Sequence, residues 1–121
     1  MKRRPRSPFF VPYVTYNNNR RNYLWTMAKF NDIINGSVPT LVDFHATWCG
    51  PCKTMSPILE SLKKEKGEQL RILKIDVDKN KMLASQLGIR SVPTLIYYKS
   101  GKLIWRKSGV LSLQELKSSL N

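Results

Sequence analysis

Hydrophobic and polar positions alternate between strand and helix patterns through most of the chain. An almost unbroken apolar run at residues 40–46 is typical of a central strand that is buried on both faces of a sheet. The next apolar positions are spaced three and four residues apart, which predicts a helix over residues 51–66 that ends at Gly67. We expect Pro57 to bend this helix, because an interior proline removes one backbone hydrogen bond.

The same periodicities predict three more helices and three more strands. In chain order these are a helix at 27–34 that is capped by Thr26 and ended by Asn35-Gly36, a strand at 70–77, a helix at 80–87, strands at 94–99 and 102–107 around a tight Ser100-Gly101 hairpin, and a helix from Leu113. Ser112 and Glu115 form a capping box in front of the last helix. The alternation predicts the α/β class, with a mixed central sheet flanked by helices.

Residues 1–22 show no such periodicity. Prolines interrupt the first part of this segment, and a run of asparagines follows them. We therefore expect a basic, disordered N-terminal arm at residues 1–22 and one folded domain at residues 23–121. Tyr23-Leu24-Trp25, at the start of the domain, is interpreted as a short edge strand.

Positive charge is concentrated near the start of the chain. The chain has 21 basic and 8 acidic residues and a formal net charge of +13, and the first 26 residues contain basic residues but no acidic one. Exposed basic and aromatic residues attract polyanions, so we expect weak polyanion binding by residues 1–22. No apolar run approaches the ~20 residues of a membrane span, and no secretory signal is recognised. We expect a cytoplasmic, monomeric protein.

The only two cysteines, Cys49 and Cys52, lie three positions apart where the central strand passes into the next helix. The start of a helix offers unpaired N–H groups and the positive end of the helix dipole, which favour a thiolate at Cys49. We expect Cys49 to be exposed and to attack a substrate disulfide, while Cys52 is shielded and resolves the mixed disulfide. Pro51 suits the first turn, because its missing N–H would have no partner there.

Two other interpretations of the cysteine pair are a disulfide that only staples the fold and a metal site. A loop of about four residues constrains the unfolded chain little, so a stapling role would contribute little stability. A closed zinc site needs four ligands, and His45 is the only histidine that could join the two cysteines. We therefore expect no metal.

Five blocks of sequence resemble the thioredoxin family over roughly residues 27–120. They are Val42-Asp43-Phe44, Trp48-Cys49-Gly50-Pro51-Cys52, Pro57, the stretch from Gly88 to Thr94, and Gly109. The resemblance implies the thioredoxin fold and a protein-disulfide reductase, a thiol–disulfide oxidoreductase that acts on disulfide-containing proteins. It also implies that no cofactor is bound, because electrons would come from NADPH through a separate, flavin-containing thioredoxin reductase.

Further residues acquire roles through this resemblance. Asp43 matches the buried acid that relays a proton to and from the second cysteine, and Lys74 matches its basic partner, although an ordinary solvent-facing lysine is the alternative. Asp78 matches a residue that supports the tryptophan of the motif, although a simple loop aspartate is the alternative. Val92-Pro93 matches a cis peptide bond that faces the dithiol. The substrate-binding residues would be Trp48, Gly50, Pro51, Val92, Pro93 and Gly109.

His45 departs from the pattern of the family, since many thioredoxins carry tryptophan or another aromatic residue at this position. It lies two residues after Asp43 and therefore on the same side of the strand. Its role is either that of a hydrogen-bonded packing residue or that of a modulator of the proton affinity of the dithiol. The alternative function for the whole chain is a thioredoxin-fold binding or assembly module with a polyanion-binding basic arm.

Overall fold

The computed structural model describes residues 13–16 and 23–120. Its elements, in chain order, are β1 (Tyr13–Tyr16), α1 (Tyr23–Ile34), β2 (Thr40–His45), α2 (Gly50–Lys66) with a short 3-10 turn at Gly67–Gln69, β3 (Arg71–Asp76), α3 (Lys81–Gln86), β4 (Thr94–Lys99), β5 (Lys102–Ser108) and α4 (Leu113–Ser119).

The five strands form one mixed sheet in the order β1-β3-β2-β4-β5. β3 runs parallel to both β1 and β2, whereas β4 is antiparallel to β2 and to β5. β2 therefore lies at the centre, and five of its six residues are buried, as predicted for the apolar run. The architecture confirms the predicted α/β class and the thioredoxin fold.

Separate apolar clusters cover the two faces of the sheet. On one face, Met55 and Leu59 of α2 and Leu116 of α4 pack with buried side chains of the strands. On the other face, Phe30 of α1 and Leu83 of α3 form the second cluster. Burial of both faces explains why the central strands have almost continuous apolar sequences.

The expectation that all of residues 1–22 lie outside the fold needs a correction at Tyr13–Tyr16. These residues form β1, which pairs in parallel with β3, Tyr13 opposite Ile72 and Tyr16 opposite Ile75. Without β1, β3 would present a row of unpaired backbone groups at the sheet edge, and a Tyr-Val-Thr-Tyr sequence is well suited to satisfy them. The rest of the predicted arm, residues 1–12 and 17–22, lies outside the described residues.

The predicted edge strand at Tyr23-Leu24-Trp25 is wrong, because these residues are the first turn of α1. The helix begins at Tyr23 rather than at Met27, and Thr26 is an interior residue and not the cap. Extending an existing helix adds one backbone hydrogen bond for each residue that is fixed, so the favoured start moves outward. The other predicted boundaries differ from the observed ones by at most one residue at each end.

Two local predictions about turns and caps are confirmed. Ser100 and Gly101 have φ values of 50° and 83°, the left-handed pair that a two-residue hairpin with right-handed strand twist requires. The Ser112 side chain accepts from the Glu115 N–H at 3.0 Å, and the Ser112 N–H donates to Glu115 Oε1 at 2.8 Å, which completes the capping box. Pro57 lies inside α2, which runs unbroken, and its effect on the helix axis stays a prediction.

Candidate active site

The cysteine pair lies where β2 ends and α2 begins. Cys49 is the cap residue of α2, and a disulfide joins it to Cys52 one turn into the helix. Cys49 Sγ also accepts a hydrogen bond from the Cys52 backbone N–H at 3.1 Å. This N–H belongs to the unpaired set at the helix start, so the helix directs both a donor and its positive dipole end at the Cys49 sulfur.

The expectation that Cys49 is exposed is wrong for this disulfide form. Cys49 is 3% exposed and Cys52 is 8% exposed, and both belong to a small cluster with Ala46 that Val77 and Val92 cover in part. Closing the bridge holds the two side chains against each other and against this apolar wall. The difference between the cysteines therefore rests on the hydrogen bond to Cys49 Sγ and not on exposure.

Asp43 and Lys74 lie side by side on the neighbouring strands β2 and β3. Asp43 is 2% exposed, and its Oδ1 is buried without a hydrogen-bond partner. Burial raises the pKa of this carboxyl to about 6, although the positive charge of Lys74 acts in the opposite direction. Lys74 Nζ lies 3.2 Å from Ser56 Oγ, so this lysine is partly buried between the sheet and α2 and is not an ordinary solvent-facing residue.

A pocket of about 250 Å³ opens beside Cys52. The side chains that line it come from the end of β2, the start of α2 and β3: His45, Ala46, Thr47, Cys52, Lys53, Ser56 and Lys74. Sequence reasoning missed Ser56, although it lies four residues after Cys52 and therefore on the same face of the helix. The pocket connects the second cysteine to solvent through polar side chains.

His45 is half-buried on this pocket, and its Nε2 is buried with no hydrogen-bond partner. The prediction of a hydrogen-bonded packing residue is therefore wrong for this nitrogen. Burial, followed by the positive charge of Lys74, lowers the pKa of the imidazole below its usual 6.5. His45 is thus neutral at pH 7 in this fold.

The tryptophan of the motif stands beside a second pocket. Trp48 is 69% exposed, and its Nε1 donates to Asp78 Oδ2 at 2.7 Å, which is the support that the resemblance implied for this residue. The pocket next to it has a volume of about 130 Å³ and is lined by Trp48, Val77, Ile89, Arg90, Ser91 and Val92.

The Val92-Pro93 peptide bond is cis, as the resemblance implied. Gly109 N–H donates to the Pro93 carbonyl oxygen at 2.9 Å, which brings this glycine next to the cis bond. Gly109 has a φ of 93°, a backbone conformation that residues other than glycine rarely adopt. Gly50 and Pro51 are exposed at the start of α2. All six residues predicted for substrate binding therefore lie in segments at the dithiol end of the sheet.

The part of the chain that the structure describes contains neither a candidate metal site nor a candidate membrane-spanning helix. Residues 13–16 and 23–120 contain no group of three or more side chains that could hold a metal ion. Within the same residues, no helix has the length and apolar character needed to cross a membrane.

Comparisons with known proteins agree on one family. A sequence model of the family Thioredoxin matches residues 22–121. A thioredoxin from Acidithiobacillus ferridurans is 44% identical over 90 residues, which cover 74% of this chain and 83% of that protein. A thioredoxin from Porphyra purpurea is 40% identical over 97 residues, which cover 79% and 91%. The solved structure of oxidised mitochondrial thioredoxin 3 from Saccharomyces cerevisiae is similar, with a TM-score of 0.74 at 29% identity over 89% of this chain and 92% of that one.

Proposed function

The chain belongs to the thioredoxin family, and we infer that it is a protein thiol–disulfide oxidoreductase that reduces protein disulfides by dithiol exchange through Cys49 and Cys52. The single observation that supports this inference most strongly is the disulfide closed across the first turn of α2, with the Cys52 N–H directed at Cys49 Sγ. A donor in this place stabilises a thiolate, which is the nucleophile in disulfide exchange.

We propose that Cys49 attacks and Cys52 resolves. In the dithiol form, the Cys49 thiolate attacks one sulfur of a substrate disulfide, forms a mixed disulfide and releases the other substrate sulfur as a thiolate that takes up a proton. Cys52 then loses its proton and attacks Cys49 Sγ. The Cys49–Cys52 disulfide forms, and the electron pair leaves with the second substrate sulfur, which is protonated in turn. Two electrons have then passed to the substrate.

Asp43 is proposed to hold the proton that Cys52 gives up. A pKa of about 6 lies close to neutral pH, which suits a group that must both accept and return a proton. Lys74, paired with Asp43 across the two strands, favours the ionised carboxylate that accepts the proton. The pocket beside Cys52 supplies the polar connection to solvent.

We propose that the substrate is held around the dithiol by Trp48, Gly50, Pro51, Val92, Pro93 and Gly109, of which the first three are exposed, Val92 and Gly109 are partly exposed and Pro93 is buried. Exposed Trp48 offers a large apolar contact. Val92 is partly exposed and packs against the cysteine pair, so its backbone would be available to an extended substrate segment, which can pair with it as an added strand.

The electron source, location and oligomeric state are part of the same proposal. A reductant that leaves each turnover as a disulfide needs an external donor, and we propose a separate thioredoxin reductase that draws electrons from NADPH. Such a cycle requires a reducing compartment, and we propose the cytoplasm. The protein is proposed to act as a monomer, with Cys49 and Cys52 contributed by one chain.

A coupled assay tests this function. The protein is incubated with NADPH, a thioredoxin reductase and a disulfide-containing protein, and NADPH oxidation is followed. We expect turnover with the natural chain, none with Cys49→Ser, and accumulation of a substrate-linked mixed disulfide with Cys52→Ser. Normal turnover by Cys52→Ser would contradict the assignment of the two thiols. Absence of turnover with the natural chain would favour a binding or assembly module.

A further inference from the structure

The two pockets that flank the disulfide are lined by positive side chains. Lys53 and Lys74 line the pocket beside Cys52, together with one histidine and two hydroxyl side chains. Arg90 lines the pocket on the other side, next to Trp48. Among the residues that the structure describes, no aspartate or glutamate lines either pocket.

Three of the exposed acidic residues, Asp32, Glu65 and Glu68, lie at the end of the molecule that is remote from the dithiol. The dithiol lies at the carboxyl end of β2, and α2 carries the chain back to the opposite end of the sheet, where Glu65 and Glu68 are found. Glu65 forms an ion pair with Lys117 at 2.9 Å. Two exposed acids lie nearer the dithiol, and both already accept hydrogen bonds: Asp78 Oδ2 accepts from Trp48, and Glu115 Oε1 accepts from the Ser112 N–H.

Of the cations that line the two pockets, Lys53 and Arg90 are the exposed ones. Both are exposed, and neither has a hydrogen-bond or ion-pair partner within residues 23–120. Lys53 follows Cys52 directly and lines the pocket beside it, whereas Arg90 lies two residues before the cis bond and lines the pocket next to Trp48. Because both remain hydrated, a new ion pair with either one has a low desolvation cost.

We propose that the protein prefers disulfides whose cysteine lies in an acidic polypeptide segment. One substrate carboxylate enters the pocket beside Cys52 and meets Lys53, and a second, on the other side of the substrate cysteine, meets Arg90. The pocket of about 250 Å³ has room for an aspartate or glutamate side chain, and its lysines and hydroxyls supply the donors. This inference rests on the proposed function and adds the class of substrate.

Complementary charge acts mainly on the rate of encounter. Charges at the rim of a binding surface steer association and suppress partners of like charge, and this effect weakens with ionic strength. We therefore expect the preference to appear in kcat/KM and to diminish with salt. A preference that comes from shape alone would not respond to salt.

The test uses three disulfide peptides of equal length whose cysteines are flanked by acidic, neutral or basic residues. At low salt we expect kcat/KM to be about tenfold higher for the acidic than for the basic peptide, within the range of electrostatic steering. The ratio should approach one at about 0.5 M salt, where screening is nearly complete. Lys53→Glu and Arg90→Glu should each reduce the ratio several-fold.

Lys64→Glu is the matched control. Lys64 is exposed near the end of α2 that is remote from the dithiol, and its replacement changes the net charge by the same amount. We expect this variant to keep the acidic preference. Equal kcat/KM for the acidic and basic peptides at low salt would overturn the proposal, and so would a loss of preference in Lys64→Glu as large as in Lys53→Glu. Failure of the proposed function would look different, because the neutral peptide would not be reduced either.

Discussion

The two faces of β2 place different demands on the same short strand. On one face, Val42 and Phe44 are fully buried and pack with apolar side chains of α1 and α3. On the other face, Leu41 packs beneath α2. The next two residues on this face, Asp43 and His45, are ionisable and lie towards the dithiol end of the strand. The first face is apolar from Val42 to Phe44, whereas the second changes from the packed Leu41 to the ionisable Asp43 and His45.

This difference shows how stability and reactivity are separated inside one element. The polar face contains two buried atoms without hydrogen-bond partners, Asp43 Oδ1 and His45 Nε2. A buried polar group without a partner costs about 1–3 kcal/mol of stability. The apolar face has no unpartnered buried atom of this kind. Burial of its side chains stabilises the fold and offsets the stability that is lost by holding an ionisable group next to Cys52. Mutations on the two faces should therefore have effects of opposite sign.

The largest effect is expected from Phe44→Ala on the apolar face. Removing a fully buried phenylalanine side chain leaves a cavity and should lower the free energy of unfolding by about 3–5 kcal/mol. Because Phe44 points away from α2, the thiol titration of the molecules that stay folded should be unchanged. Urea unfolding and the pH dependence of thiol alkylation measure the two quantities.

Phe44→Leu is the control for that experiment, since it keeps an apolar side chain of similar reach and should cost less than about 2 kcal/mol. A loss below about 1 kcal/mol in Phe44→Ala would mean that the apolar face contributes little. A displaced thiol titration in the same variant would show that the two faces of β2 are coupled.

Sequence patterns predicted most of this architecture because the deciding interactions are local. The capping box at Ser112 and the hairpin at Ser100-Gly101 depend on neighbouring residues, and the apolar run of β2 reports its burial directly. β1 escaped detection because only four residues pair, and their partner β3 is more than fifty residues away. The covered state of Cys49 and the unpaired Nε2 of His45 depend on tertiary packing, which no spacing in the sequence reveals.

Asp43→Asn should have a smaller effect on stability, and one of opposite sign. The folded state binds the proton of Asp43 more tightly than the unfolded state, because burial raises the pKa from 3.8 to about 6. The stability of the natural protein should therefore fall as pH rises from about 4 to about 6. At pH 7 the asparagine variant, which has no charge to bury, should be more stable by at most about 3 kcal/mol.

Urea unfolding at pH 4 and pH 7 tests this prediction, since the advantage of Asp43→Asn should disappear at the lower pH. The same variant should resolve mixed disulfides more slowly, because Cys52 loses its proton acceptor. Unchanged kinetics between pH 6 and pH 9 would exclude the proton-holding role. A variant that is less stable than the natural protein at pH 7 would show that Asp43 is better satisfied than its unpaired Oδ1 indicates.

The smallest effect is expected from His45→Trp, which restores a side chain common in the family. Burial keeps the imidazole neutral at pH 7, so the substitution removes no charge from the pocket beside Cys52. The reduction potential at pH 7 should therefore shift by less than ~30 mV, which corresponds to about 1.4 kcal/mol for a two-electron couple. Equilibration with glutathione measures it.

The same substitution should matter more in acid, which makes it the sharpest probe of the polar face. Below its lowered pKa, His45 adds a positive charge near the cysteines that tryptophan cannot supply, and a positive charge favours the thiolate. We expect the potentials of the two proteins to diverge as the pH falls below the lowered pKa of His45. Because the chain has one histidine, its imidazole NMR signal follows this protonation directly. A shift above ~30 mV already at pH 7 would show that neutral His45 tunes the dithiol by other means, such as a hydrogen bond made only in the reduced form.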